Sequence, residues 1–179
     1  MDLIVSLEGE AWRARWGAES FACAIGRGGV KPAEAKREGD GATPLGAWPL
    51  RYLLYRSDRI AEVGSGLRSD PLSPDDGWCD DAGDPAYNRP VKLPIAASHE
   101  RMWREDGLYD LVCVLGHNDD PPRPGLGSAI FLHCAGVGYP PTAGCVALAR
   151  ADLQRLLRTA APGDRVVVLA PEEAPGGCS

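Results

Sequence analysis

The sequence predicts a mainly β protein, a β-sandwich or partly open barrel with one main helix near 151–160. Three observations carry this expectation. Short alternating or apolar runs recur along the chain, 16 prolines and 22 glycines punctuate them, and only one segment sustains a helical period. A chain of 179 residues suits one domain. It is expected over 1–170, with 64–94 as a lid or insertion loop and 171–179 as a flexible tail.

The elements follow in order. "LIVSL" (3–7), "AWRARW" (11–16) and "SFACAIG" (20–26) read as strands separated by glycine and charge. "GDGATPLG" must be loop, because Gly39, Gly41, Pro44 and Gly46 break any regular element; "WPLRYLLYR" then resumes as strand. Residues 57–94 are rich in Asp, Gly, Ser and Pro without a period, and so long an irregular stretch is expected to be functional. "SHERMWRED" (98–106) reads as a short helix with Ser98 as N-cap. "LYDLVCVLG" (108–116) and "SAIFLHCA" (128–135) are buried strands. In "RADLQRLLRTA", Leu153, Leu156 and Leu157 share a face and Asp152 sits in the first turn, where the helix dipole favours a carboxylate. "RVVVLA" ends the fold as a strand.

Composition removes several function classes. A formal charge of −6 leaves no basic footprint for nucleic acid, and two Phe make no platform for stacked bases. Apolar runs fall far short of the roughly 20 residues a membrane span needs. The start, "MDLIVSLEGEAWRARW", lacks the basic and apolar regions of a secretory leader, which reads as cytoplasmic. The six cysteines form no CxxC pair, so no zinc site or other metal is expected. "GHNDD" at His117, and His99, read as surface rather than metal-binding. Trp12, Trp16 and Trp48 read as core.

The chemistry concentrates in "GSAIFLHCAGVGYPPTAGCVAL" (127–148). Cys145 follows small residues that leave backbone N–H groups open to a substrate oxygen, as an oxyanion site requires. His133, ending a strand that could run beside Cys145, is the natural base for the thiol. Two other readings of Cys145 stay open here: a structural thiol, and a disulfide with Cys134. The latter is disfavoured because successive strand residues face opposite sides.

The run "GSAIFLH…PTAGCVAL", together with the upstream "GDGATPLGAWPL", resembles the L,D-transpeptidase catalytic domain, the YkuD family, over about residues 2–170. The resemblance implies that domain's β fold and a cysteine acyltransferase without cofactor. Its partners would be peptidoglycan stem peptides containing diaminopimelate, handled by a monomer. It makes Cys145 the nucleophile and His133 the general base, with Thr142, Ala143 and Gly144 as motif residues and Gly144 and Cys145 as oxyanion donors. Two positions depart from the family pattern: Ala143 replaces its usual His, and Ala147 its usual Arg, for which Arg150 is a candidate substitute. The central segment resembles a proteobacterial branch that makes 1,3 rather than 3,3 cross-links. In a lid, Trp78, Asp80, Asp81, Tyr87, Asn88 and Arg89 are candidates for gripping a zwitterionic peptide, and Asn118 for lining the cleft. An arginine suits a carboxylate and an aspartate suits an ammonium. The same site could instead hydrolyse the thioester, as a carboxypeptidase or amidase, and an inert cell-wall-binding domain is a third reading. The substrate implies the periplasm or envelope, against the cytoplasmic reading of the start.

Overall fold

The computed structural model describes residues 1–171, so Cys178 and all but the first residue of the expected tail lie outside the described part. Three hairpin-linked strands begin the chain: β1 (Asp2–Glu8), β2 (Ala11–Trp16) and β3 (Glu19–Ala24). Their alternation sets the buried face, with Leu3, Val5, Ala14, Trp16, Phe21 and Cys23 inward and Arg13 and Arg15 outward. Gly9 (φ 62°) and Gly17 (φ 59°) supply the left-handed turns between them, a conformation that costs glycine little.

Two short strands, β4 (Val30–Lys31) and β5 (Thr43–Pro44), pair in parallel, so the expected all-loop "GDGATPLG" is strand at Thr43–Pro44 and again from Gly46, where the next strand begins. The long β6 (Gly46–Tyr55) then performs the closure. Its first half pairs with β14 (Arg165–Val168), and its second half, Leu50–Tyr55, pairs with β11 (Leu111–Leu115). With β12 (Phe131–Cys134) and β13 (Val146–Leu148), the order β11-β12-β13-β3-β2-β1-β14-β6 returns to β11. The β fold is thus a ring of strands, with β7 (Ser69–Pro71) added beside β6.

The helix α1 (Arg150–Leu157) buries Leu153, Leu156 and Leu157 in the main core. The expected amphipathic helix is there, three residues shorter at its end. The expected helix at 98–106 is absent. That segment instead contains β10 (His99–Arg101), which pairs with β8 (Asp76–Cys79), itself paired with β9 (Arg89–Lys92). Backbone pairing with Gly77–Cys79 satisfies the amide groups that a short, weakly capped helix would leave open. Residues 57–94 are likewise partly ordered as strand rather than wholly irregular.

This three-stranded sheet determines where a site can form. Leu132, Cys134, Val146 and Leu148 point to the main core. Alternate residues of the same strands, Phe131 and Cys145, point the other way into a second cluster with Trp78, Met102 and Tyr109. A sheet face that would otherwise be wet is therefore covered, and a cleft forms where the cover stops. No helix among the described residues is long and apolar enough to cross a membrane.

Candidate functional site

Cys145 and His133 open into one cleft of about 380 Å³. The strand register explains this. β12 and β13 run parallel with His133 opposite Ala147, so Phe131, His133, Cys145 and Ala147 share one face by two-residue alternation. Cys134 takes the opposite face, where its Sγ lies 3.7 Å from the Leu111 carbonyl, and both it and Cys145 are free thiols.

The turn that presents Cys145 is braced from behind. The Thr142 hydroxyl donates to the Cys145 carbonyl at 2.7 Å, and the Thr43 hydroxyl donates to the same oxygen at 3.4 Å while accepting from Gly26 N–H. The "TPLG" motif thus acts on the site through Thr43, a role the sequence reading did not assign. Gly144 has φ +137°, and a Cβ there would lie 2.9 Å from the Ala42 carbonyl oxygen, so only glycine fits. Its N–H is already donated to Thr142 Oγ1 at 3.1 Å, which removes it from the expected oxyanion pair. Ala143 lines the cleft with Cys145 and Thr142, whereas Gly144 supports them from behind.

Both reactive groups rest neutral. The Cys145 thiol, 6% exposed, donates to the Ala129 carbonyl at 3.2 Å and accepts from Phe131 N–H at 3.3 Å. Burial, with the Glu100 charge adding to it, pushes the thiol up to about 12. His133 is also buried, which pulls its imidazole down to about 4. Its Nδ1 lies 2.9 Å from the Cys134 carbonyl, an acceptor only, so Nδ1 carries the proton and Nε2 is the bare nitrogen. No hydrogen bond joins the thiol to the ring at rest.

Tyr109 holds the ring. It meets His133 edge to face at 5.3 Å, and its hydroxyl donates to Glu100 Oε2 at 2.9 Å. Burial raises the Glu100 carboxyl above its ordinary value. Arg104, on the chain after β10, sits 5.0 Å over the Tyr109 ring and pairs with Asp106. Sequence reasoning missed Tyr109, Glu100 and Arg104, because the segment was read as a helix followed by a continuous strand. The local pattern of "HERMWRED" carries no strand signal, since Met102 and Trp103 are adjacent apolar residues between charged ones.

The other expected site residues divide sharply. Of the lid candidates only Asp80 lines the cleft. Trp78 is buried against Phe131 at 5.0 Å and donates its Nε1–H to Asn88 Oδ1. Asn88 is a hub: its Oδ1 also accepts from Ala129 N–H, and its Nδ2 donates to the His117 and Asn118 carbonyls. Tyr87 donates to Glu38 Oε2 at 2.5 Å and accepts from Gly127 N–H. Asp81 caps a turn at Gly83, and Asn118 braces its own loop through Arg123 and Gly127. Arg89 is exposed on β9 and borders a smaller cavity elsewhere. Arg150 pairs with buried Asp110 at 2.8 Å and is no substitute in the cleft; Arg104 and Arg27 are the arginines that line it. Ala147 does lie in the cleft, where a longer side chain would occupy the space. His117 is buried, not at the surface, and meets Trp48 at 4.7 Å.

A neutral thiol and a neutral imidazole with a bare Nε2, facing one cleft, can support nucleophilic attack on a carbonyl with the proton passing to the ring. The search of curated proteins returned no match. The family profile for the L,D-transpeptidase catalytic domain (YkuD) matches residues 3–168. The ring of strands, the cysteine turn on β13 and the histidine on β12 lie within that match, and the chain belongs to the L,D-transpeptidase catalytic-domain (YkuD) family.

Proposed function

We propose that this protein is a cysteine L,D-transpeptidase acting on peptidoglycan stem peptides. The observation that carries the reading is the convergence of Cys145 and His133 on one cleft from adjacent strands of a family member. In the proposed reaction, Cys145 Sγ attacks a stem-peptide carbonyl as its proton passes to His133 Nε2. Of the two amides expected to receive the developing oxyanion, Gly144 N–H is engaged with Thr142, which leaves that role to the Cys145 N–H. The imidazolium then returns its proton to the departing amine, leaving a thioester on Cys145. An amine from a second stem attacks the thioester, His133 takes the surplus proton, and the thiolate leaves and regains it. The product is a new peptide bond, as a 3,3 or a 1,3 cross-link, and the substrate places this work in the periplasm or cell envelope.

Neutral partners at rest suit this order of events. A thiol pushed up to about 12 is nucleophilic only as a base takes its proton, so attack requires His133 Nε2 to replace the Ala129 carbonyl as the partner of the S–H. A second reading uses the same site for hydrolysis, with water replacing the second amine. Incubation with purified sacculi and mass analysis of the muropeptides separates the two. Cross-linked dimers made by the wild type and absent with Cys145→Ala are expected. Shortened stems without new dimers would establish hydrolysis, and no change with the wild type would overturn both enzyme readings.

A further inference from the structure

One wall of the cleft carries three carboxylates, from Glu38, Asp80 and Glu100. They come from three separate parts of the chain: the loop before β5, the end of β8 and strand β10. Asp80 and Glu38 both press on Glu100, making its ionisation harder, so the three share one electrostatic neighbourhood. Among the described residues none of them forms an ion pair. Arg104, the cation that opposes this charge at Glu100, is committed to Asp106, and buried Lys36 to Asp40. Among the described residues the side-chain hydrogen bonds that reach these carboxylates come from hydroxyls, Tyr87 to Glu38 and Tyr109 to Glu100, while Arg27 lines the same cleft without an ion pair to any of the three.

Two buried atoms here have no partner. Asp80 Oδ1 is one, and Ser128 Oγ is the other. Ser128 is 7% exposed and lines the cleft next to Ala129, whose carbonyl accepts the Cys145 thiol. The Tyr87 hydroxyl lies near enough to Ser128 to feel it, but it already donates to Glu38 and accepts from Gly127 N–H, and the Ser128 Oγ geometry toward it falls short of a hydrogen bond. An unpaired buried hydroxyl or carboxylate oxygen costs free energy that a bound donor recovers. A primary ammonium offers three donors and one positive charge, which match oxygen acceptors along a negative wall. Among the described residues no three His, Cys, Asp or Glu groups converge as metal ligands.

We propose that Glu38, Asp80, Glu100 and Ser128 form a subsite for a primary ammonium group of the peptide substrate, next to the Cys145 thiol. The inference rests on the transpeptidase reading and adds to it the charge of the group bound beside the nucleophile. The ammonium has two possible sources in such a peptide, the side chain of the diamino acid or a free N-terminus.

The test measures binding without turnover, by calorimetry on Cys145→Ala protein. The titrants are the tripeptide L-Ala–γ-D-Glu–diaminopimelate and the same peptide acetylated at its side-chain amine, at its N-terminus or at both. Weakening of about tenfold or more on removing one ammonium is expected, as for a lost charge-assisted hydrogen bond. The single acetylation that causes it identifies the source. Adding Asp80→Asn or Glu100→Gln, which keep acceptor oxygens in place, should reduce the preference to about twofold. Equal binding of all four peptides, no binding of the free tripeptide, or an unchanged preference in both variants would overturn the proposal. Because Cys145 is absent throughout, failure of the ammonium subsite is distinct from failure of the thioester chemistry.

Discussion

At the residue scale the site turns on two protons. Burial holds the Cys145 thiol near 12 and the His133 imidazole near 4, so between these values the pair is thiol and imidazole, not thiolate and imidazolium. The sign of the resulting pH dependence is fixed. Thiolate is the alkylating form, its fraction rises about tenfold per pH unit below the thiol's own value, and His133 adds no cation in that range. Iodoacetamide labelling of Cys145 in the free protein should therefore climb steadily from pH 7 to pH 10 without a plateau, followed by peptide mass mapping. A plateau reached below pH 8 would mean a preformed ion pair. The proposed nucleophile and base could be picked out from "FLH" and "TAGC". Their protonation was not, because it depends on Phe131 N–H, the Ala129 carbonyl and the covering Tyr109, which come together only in the fold.

At the scale of elements, the small sheet β8–β9–β10 turns a β-barrel face into a cleft. Its link to the cysteine runs through Asn88. This side chain ties Trp78 of β8 to Ala129, and Ala129 sits at φ 51° with its carbonyl on the Cys145 thiol. A left-handed alanine costs about 1 kcal/mol, so it needs such an anchor. Asn88→Ala leaves the Trp78 and Ala129 N–H groups and the His117 and Asn118 carbonyls without that partner. It should destabilise the protein by about 2–4 kcal/mol in urea unfolding and lower muropeptide turnover more than unfolding accounts for. A change below about 0.5 kcal/mol would show that the hub bears no strain. The sequence marked Asn88 and Trp78 as ligand-gripping residues because a polar, aromatic, Asp-rich stretch looks solvated. Long-range strand pairing, which local composition does not encode, converts them to buried supports.

At the scale of the molecule, the chain spends most of its length on a rigid frame for a few reactive atoms. The strands were readable from alternation and the helix from its three leucines, since both periods are local. Ring closure was not, because it depends on β6 pairing with β14 along one half and β11 along the other, partners more than fifty residues apart in sequence. That closure brings β12 and β13 into register beside β3 and carries Thr43 behind the cysteine turn. In the proposed reaction this frame presents Cys145 as an acyl acceptor. Intact-protein mass spectrometry of wild-type protein quenched during reaction with a stem tetrapeptide tests it most directly. One added acyl mass on Cys145 is expected, discharged by a second stem amine and absent in Cys145→Ala. Turnover of the tetrapeptide with no adduct on Cys145, or an equal adduct in Cys145→Ala, would contradict it.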